Sequence, residues 1–154
     1  MVSFLIRYPQ LSSLRYNRQS GSLSFTILLK GAITPQRQEE FVSFAEGYFA
    51  ACRELDARFS PMGDVTYTSM EGVTMLVYEQ PVALLNVGEI RLFMQLVADF
   101  YKDALSDEVV QMPAEELDAQ EEIIEHILGQ KEAWCDEKLI VAYRDGGKVF
   151  VYNK

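Results

Sequence analysis

The chain has 154 residues, of which 49% are hydrophobic and 24% charged, and its formal net charge is −9. That length suits one domain able to bury roughly 70% of its extended surface, and the plentiful aromatic and β-branched residues exclude a disordered chain. No basic leader precedes an apolar stretch, and the apolar run Leu139–Tyr143 falls far short of the about 20 residues of a membrane span, so a cytoplasmic protein without a membrane segment is expected.

In chain order, Val2 to Tyr8 reads as a short strand ended by Pro9. Ser13–Asn17 and Ser22–Lys30 read as a hairpin turning at Arg18-Gln19-Ser20-Gly21. In its second strand Leu23, Phe25, Ile27 and Leu29 alternate with Ser22, Ser24 and Thr26, the period of a sheet with one buried side. Thr34-Pro35 opens a long helix, with a hydroxyl cap and a proline in the first turn. Its apolar stripe is expected at Phe41, Phe44, Ala45, Tyr48, Cys52 and Leu55, and Pro61 and Gly63 stop any continuation.

A second hairpin is expected over Asp64–Met70 and Val73–Glu79. Asn86 and Glu89 resemble a capping box ahead of a second helix, whose residues Ile90, Phe93, Val97, Phe100 and Ala104 are in phase. Leu92, Met94 and Leu96 widen its apolar arc, so it should be more buried than the first helix. Ser106–Met112 reads as a link or a short strand. Pro113 opens an acidic third helix over 113–129, with a narrow stripe of Leu117, Ile124, Ile127 and Leu128 and Gly129 at its C-cap. A third hairpin, 138–153, turns at Asp145-Gly146, with Trp134-Cys135 leading into its first strand.

The two hairpin-helix units, 11–57 and 63–105, align with each other. Tyr16 and Gly21 lie 51 residues before Tyr67 and Gly72, and with one further residue of offset Phe41 meets Phe93 and Tyr48 meets Phe100. A ββα duplication is one reading, and chance similarity between two hairpins followed by amphipathic helices is the other. Either way the expected fold is α+β in one domain, 1–154: an antiparallel sheet of hairpins with helices packed mainly on one face, completed by a C-terminal helix and hairpin.

Signatures of chemistry are missing. There is no phosphate-binding glycine loop, zinc-protease motif, nucleophile elbow or paired-cysteine motif, so no catalytic residue, metal ligand or cofactor is assigned. Glu122 and His126 share a helix face four residues apart, but two ligands without a third make a poor metal site. His126 is the one histidine, and its pairing with Cys135 lacks any orienting residue. Cys52 reads as a small hydrophobe on a helix, and two cysteines without paired spacing fit a reducing compartment. Gly146-Gly147-Lys148 reads as a tight turn in preference to an anion cradle. Tyr8, Tyr16, Tyr67 and Tyr143 lie near hairpin ends, where packing explains aromatics more simply than a pocket does.

Charge is the one uneven feature. Residues 1–38 hold Arg7, Arg15, Arg18, Lys30 and Arg37 without an acid, a segment of +5, which leaves −14 for the remainder. The binding candidate is accordingly a basic patch of Arg7, Arg15, Tyr16, Arg18 and Lys30. The leading expectation is an interaction or regulatory module that self-associates or takes a protein partner, its basic segment meeting the acidic helix of another copy or of the same chain. A small-molecule binder or enzyme with a pocket between sheet and helices is the alternative. Single-stranded nucleic acid on the basic hairpin is a third reading, disfavoured by the overall acidity.

Overall fold

The computed structural model describes residues 1–105, 113–130 and 139–153. Its elements are α1 (Val2–Arg7), β1 (Leu11–Asn17), β2 (Ser22–Lys30), α2 (Pro35–Leu55), β3 (Asp64–Met70), β4 (Val73–Pro81), α3 (Val87–Phe100), α4 (Ala114–Gly129), β5 (Leu139–Asp145) and β6 (Lys148–Asn153). The expected link over 106–112 and the lead-in at Trp134-Cys135 lie outside the described residues. The strands form one antiparallel sheet in the order β3-β4-β2-β1-β5-β6. The helices pack against it, so the fold is the α+β arrangement anticipated.

Alternation decides which sheet face is covered. Leu23, Phe25, Ile27 and Leu29 of β2 and Leu76 and Tyr78 of β4 are buried, and Phe25 and Tyr78 stand opposite each other. Tyr78 stacks on Phe93 of α3 at 4.0 Å between ring centroids, and Phe41 of α2 meets the same Phe93 edge-on at 5.9 Å. Strands β2 and β4 pair from Ser22↔Pro81 to Lys30↔Val73 about a centre at Thr26↔Val77. Those two central residues are related by the same offset that relates Tyr16 to Tyr67. The two hairpins thus meet about a local two-fold, an arrangement open to unrelated hairpins as well.

Several sequence expectations need correction, among them that α3 ends at Phe100, so Ala104 lies beyond the helix whose stripe it was expected to join. Val2–Arg7 is a helix and not a strand. Phe4 and Leu5 are fully buried and Tyr8 nearly so, a set that helical spacing gathers onto one side. Burying such side chains is worth about 1.5–3 kcal/mol each, more than the ~1 kcal/mol span of strand propensity. Strand β1 also lies between β2 and β5, which leaves no edge there for a further strand. In α2 the buried stripe is Phe41, Ala45 and Phe49, while Phe44, Tyr48 and Leu55 are exposed. The two outward rings pack edge to face on each other at 4.9 Å, and Phe44 also meets Phe100. Finally, α4 ends one residue later than expected, with Gln130 at its C-cap.

The other caps follow the expected chemistry. Thr34 Oγ1 accepts from the Arg37 N–H at 3.2 Å, and Asn86 Oδ1 accepts from the Glu89 N–H at 2.9 Å. Helix α3 is the more buried of the two long helices, burying Ile90, Phe93, Met94, Leu96 and Val97 among others. Glu89 is buried as well, and its carboxylate accepts from the Ser60 N–H at 3.0 Å and Asn86 Nδ2 at 3.1 Å. It therefore ties the loop after α2 to the start of α3. The next loop residues run tight against β4: the Gly63 N–H donates to Tyr78 Oη at 3.0 Å.

Candidate interaction surface

Because the helices occupy one face, the other face of the sheet presents the alternate residues. Register places them in two rows. One runs Asp64, Glu79, Ser24, Arg15, Val141, Tyr152, and the other runs Val77, Thr26, Ser13, Tyr143, Phe150. The first row grades from acid through a cation to an aromatic ring. Glu79 in this row is internally satisfied: it accepts from Ser22 Oγ at 2.7 Å and Ser24 Oγ at 3.1 Å, and Ser20 and Ser22 hydroxyls lie 2.6 Å apart. That network accounts for the serines of β2.

The β5–β6 end is different. Tyr143, Phe150, Val151 and Tyr152 are 41%, 43%, 50% and 55% exposed, and the Tyr143 and Phe150 rings stack at 5.3 Å. Gly146 and Gly147, with φ of 53° and 76°, form the two-residue turn joining the strands, one position later than the expected Asp145-Gly146. Left-handed backbone at both positions matches the twist of the flanking strands. The hairpin is apolar on both sides: Val141, Tyr143, Phe150 and Tyr152 lie on the outward side, while the covered side carries Ile140, Ala142, Val149 and Val151 beside Arg144. Exposed apolar clusters of this kind mark interaction sites.

The basic residues of the first 38 positions are dispersed. Arg15 lies exposed in the open face and Arg18 in the adjoining turn, and neither forms an ion pair among the described residues. Tyr16 is buried in the core, on the opposite side of β1 from Arg15. Lys30 closes the far end of β2, about 26 Å along the strand from Ser22 by strand rise, well beyond the ~8 Å screening length at physiological salt. Arg7 Nε meets Glu121 Oε2 of α4 at 3.1 Å, and its guanidinium sits 5.1 Å from the Tyr8 ring centroid. Glu121 also pairs with Arg91 of α3. Of these basic residues, Arg7 alone forms an ion pair with α4 among the described residues. Arg37 forms a two-point contact with Asp103 and lies over Tyr101; its hydrogen bonds hold the Asp103 carboxyl below the usual carboxylate range.

Other sequence candidates are placed as follows. Tyr8 is buried in the core, and Tyr67 shares a 2.8 Å hydroxyl contact with Tyr101. Burial pushes both of those phenols, and that of Tyr78, above the ordinary tyrosine value. His126 lies 3.1 Å from the Gln130 amide nitrogen on the exposed side of α4. Among the described residues no group of three or more His, Cys, Asp and Glu side chains could hold a metal, and no helix is long and apolar enough to cross a membrane. Cys135 lies outside the described residues, and Cys52 is half-buried. No family model, curated protein or solved structure matches this chain.

Sequence reasoning missed the outward group Val141, Tyr143, Phe150 and Tyr152. Alternation alone could not have found it, because Ile140, Ala142, Val149 and Val151 make the other side of that hairpin equally apolar. It also missed Glu121, although the spacing Leu117, Glu121, Ile124, Leu128 sets this acid in the apolar stripe of α4.

Proposed function

We propose that this protein is an interaction module that self-associates through its β6 edge. The observation that carries the reading is an edge strand with three consecutive exposed apolar residues, Phe150, Val151 and Tyr152, and no proline. An unprotected edge of this composition favours strand addition. Hairpin geometry supplies the register. The two-residue turn closes on a hydrogen-bonded Asp145–Lys148 pair, so the N–H groups of Val149 and Val151 turn outward. Antiparallel pairing of two copies about Phe150 then sets Val149 opposite Val151 as the hydrogen-bonded pairs. Phe150 faces its own copy in the close, non-hydrogen-bonded position, beside the Tyr143 ring. Lys148 faces Tyr152, a cation against a ring, and no like charges oppose each other.

Sedimentation of the full chain tests this. The wild type sediments as a dimer at micromolar concentration, and Val151→Pro, which removes an outward N–H while sparing the hairpin, sediments as a monomer with unchanged circular dichroism. A strictly monomeric wild type, or a dimeric Val151→Pro, sinks the reading.

A second reading, single-stranded nucleic acid on the open face, is favoured by the exposed Arg15 in the row of Tyr152. With Arg7 engaged by Glu121, Arg15 and Arg18 remain as phosphate contacts. Two such contacts imply that raising salt from 50 to 200 mM weakens binding only about 7-fold. A much steeper salt dependence, or no binding at low salt, removes it.

A further inference from the structure

The sheet has a second edge, at β3, on the far side from β6. Strand Asp64–Met70 holds no proline and no basic residue and pairs with β4 without a bulge, so the usual guards of an open edge are missing. The Glu71-Gly72 turn closes on a paired Met70–Val73, which turns the N–H and C=O groups of Val65, Tyr67 and Ser69 away from β4. Beside these groups runs a groove of about 400 Å³ between β3 and α2, lined by Val42 and Ser43 of the helix and Val65 and Tyr67 of the strand. A strand added to β3 sets every second side chain toward this groove, because residues opposite Val65 and Tyr67 share their face. An edge strand beside a helix, with a groove between them, is the geometry of peptide capture by strand addition.

Charge selects the occupant. Glu39 lies on the groove, and Asp64 and Glu71 stand exposed at the two ends of the strand; among the described residues none of the three is paired with a cation. The cations of α2 do not offset them. Arg37 is held by Asp103, and Arg53 lies about 15 Å along the helix from Ser43, beyond the ~8 Å screening length. A second copy fits this edge poorly: β3 set antiparallel on β3 about Tyr67 brings Asp64 of each copy beside Glu71 of the other, like charge against like. We infer that β3 and α2 bind an extended peptide segment with an aliphatic residue at its centre and lysine or arginine three positions to either side. The aliphatic side chain enters the groove opposite Tyr67. One basic residue stands opposite Asp64 on the same face of the sheet, the other lies at the Glu71 end, and Glu39 adds its attraction from the groove. The site is separate from the β6 edge and stands whether or not the chain dimerises.

The test is titration of the full chain with the acetylated and amidated peptide Lys-Val-Thr-Ile-Thr-Val-Lys, read by the NMR signals of the Val65, Tyr67 and Ser69 amides. Saturable binding that moves those signals together is expected, and Val151→Pro, altered at the other edge, binds the peptide as tightly as the wild type. The same peptide with both lysines replaced by glutamate binds about tenfold or more weakly. Glu39→Lys, on the exposed surface of α2, weakens binding of the lysine peptide about fivefold, and Ser69→Pro, which removes one outward N–H, does so by a similar factor. The inference is overturned if the lysine peptide gives no saturable response, if the glutamate peptide binds as tightly, or if Glu39→Lys or Ser69→Pro retains full affinity. Shifts confined to the Val149 and Val151 amides, or binding lost in Val151→Pro, place the peptide on β6 and overturn it as well. Should Ser69→Pro fail to fold, Glu39→Lys and the pair of peptides carry the decision.

Discussion

Glu121 stands in an apolar stripe because two guanidiniums, from α1 and α3, converge on it there. Its side chain is 11% exposed, so the ion pairs are poorly screened, and removing the carboxylate leaves Arg7 facing a partly dry wall. Glu121→Ala is expected to cost about 2 kcal/mol, read from urea denaturation, while the neighbouring exposed Glu122→Ala stays within about 0.5 kcal/mol. Equal effects at the two positions would show that the convergence contributes nothing. Gly63 is constrained more severely. A β-carbon there would stand 2.2 Å from the Glu79 carbonyl oxygen, a backbone atom with nowhere to go. Gly63→Ala should therefore destabilise by about 2–3 kcal/mol, because the loop into β3 must lift off β4. A melting temperature unchanged from wild type contradicts that contact. These two roles differed in legibility. Glu121 sat in a readable spacing, whereas Gly63 reads as one more helix terminator until β4 is laid beneath it.

At the scale of elements, each hairpin was readable because strand period and turn chemistry are both local. The turn glycines and the alternation of β2 were enough to phase Leu23, Phe25, Ile27 and Leu29 inward. The first segment was not readable in the same way. Six residues, Val2–Arg7, are too few to separate the two periods, and packing of Phe4 and Leu5 decides. The α2 stripe slipped because that helix carries more apolar residues than the sheet can cover, and the aromatic size of Phe44 and Tyr48 outweighed their position. At β5–β6 the difficulty was which side would be covered. That is settled by where the hairpin docks, and the pairing of β5 with β1 has no signature near either strand.

For the whole molecule, the buried phenols set the alkaline limit. Burial raises Tyr67, Tyr78 and Tyr101 above their ordinary value of 10 in the folded chain. The unfolded chain therefore loses these protons first. Stability is intact below about pH 10 and falls above it, by up to about 1.4 kcal/mol per pH unit for each such tyrosine. Urea midpoints measured from pH 8 to 11 should be flat and then drop, with a shallower drop for Tyr67→Phe. A midpoint that holds through pH 11 would mean that the rings gain solvent access in the folded state. The charge split has a whole-molecule reading too. Arg7 and Arg37 are engaged within the chain, so the long-range field is that of an acidic protein, and the association proposed through β6 would rest on apolar contact and strand pairing.

The insertion of β1 between β2 and β5 also governs the order of assembly. Residues 11–105 can pair their strands locally, but the bond from Arg144 to Leu5 spans 139 positions, and its loop-closure entropy falls due only when the last hairpin docks. Pulse-labelled hydrogen exchange during refolding should protect β2 and β4 amides before those of β5, and simultaneous protection would argue for a concerted route. On a ribosome the same order leaves β1 as a bare edge until the final strands emerge. Arg15, at the middle of that strand, then puts a charge on the temporarily open edge, and such a charge discourages nascent chains from pairing with one another.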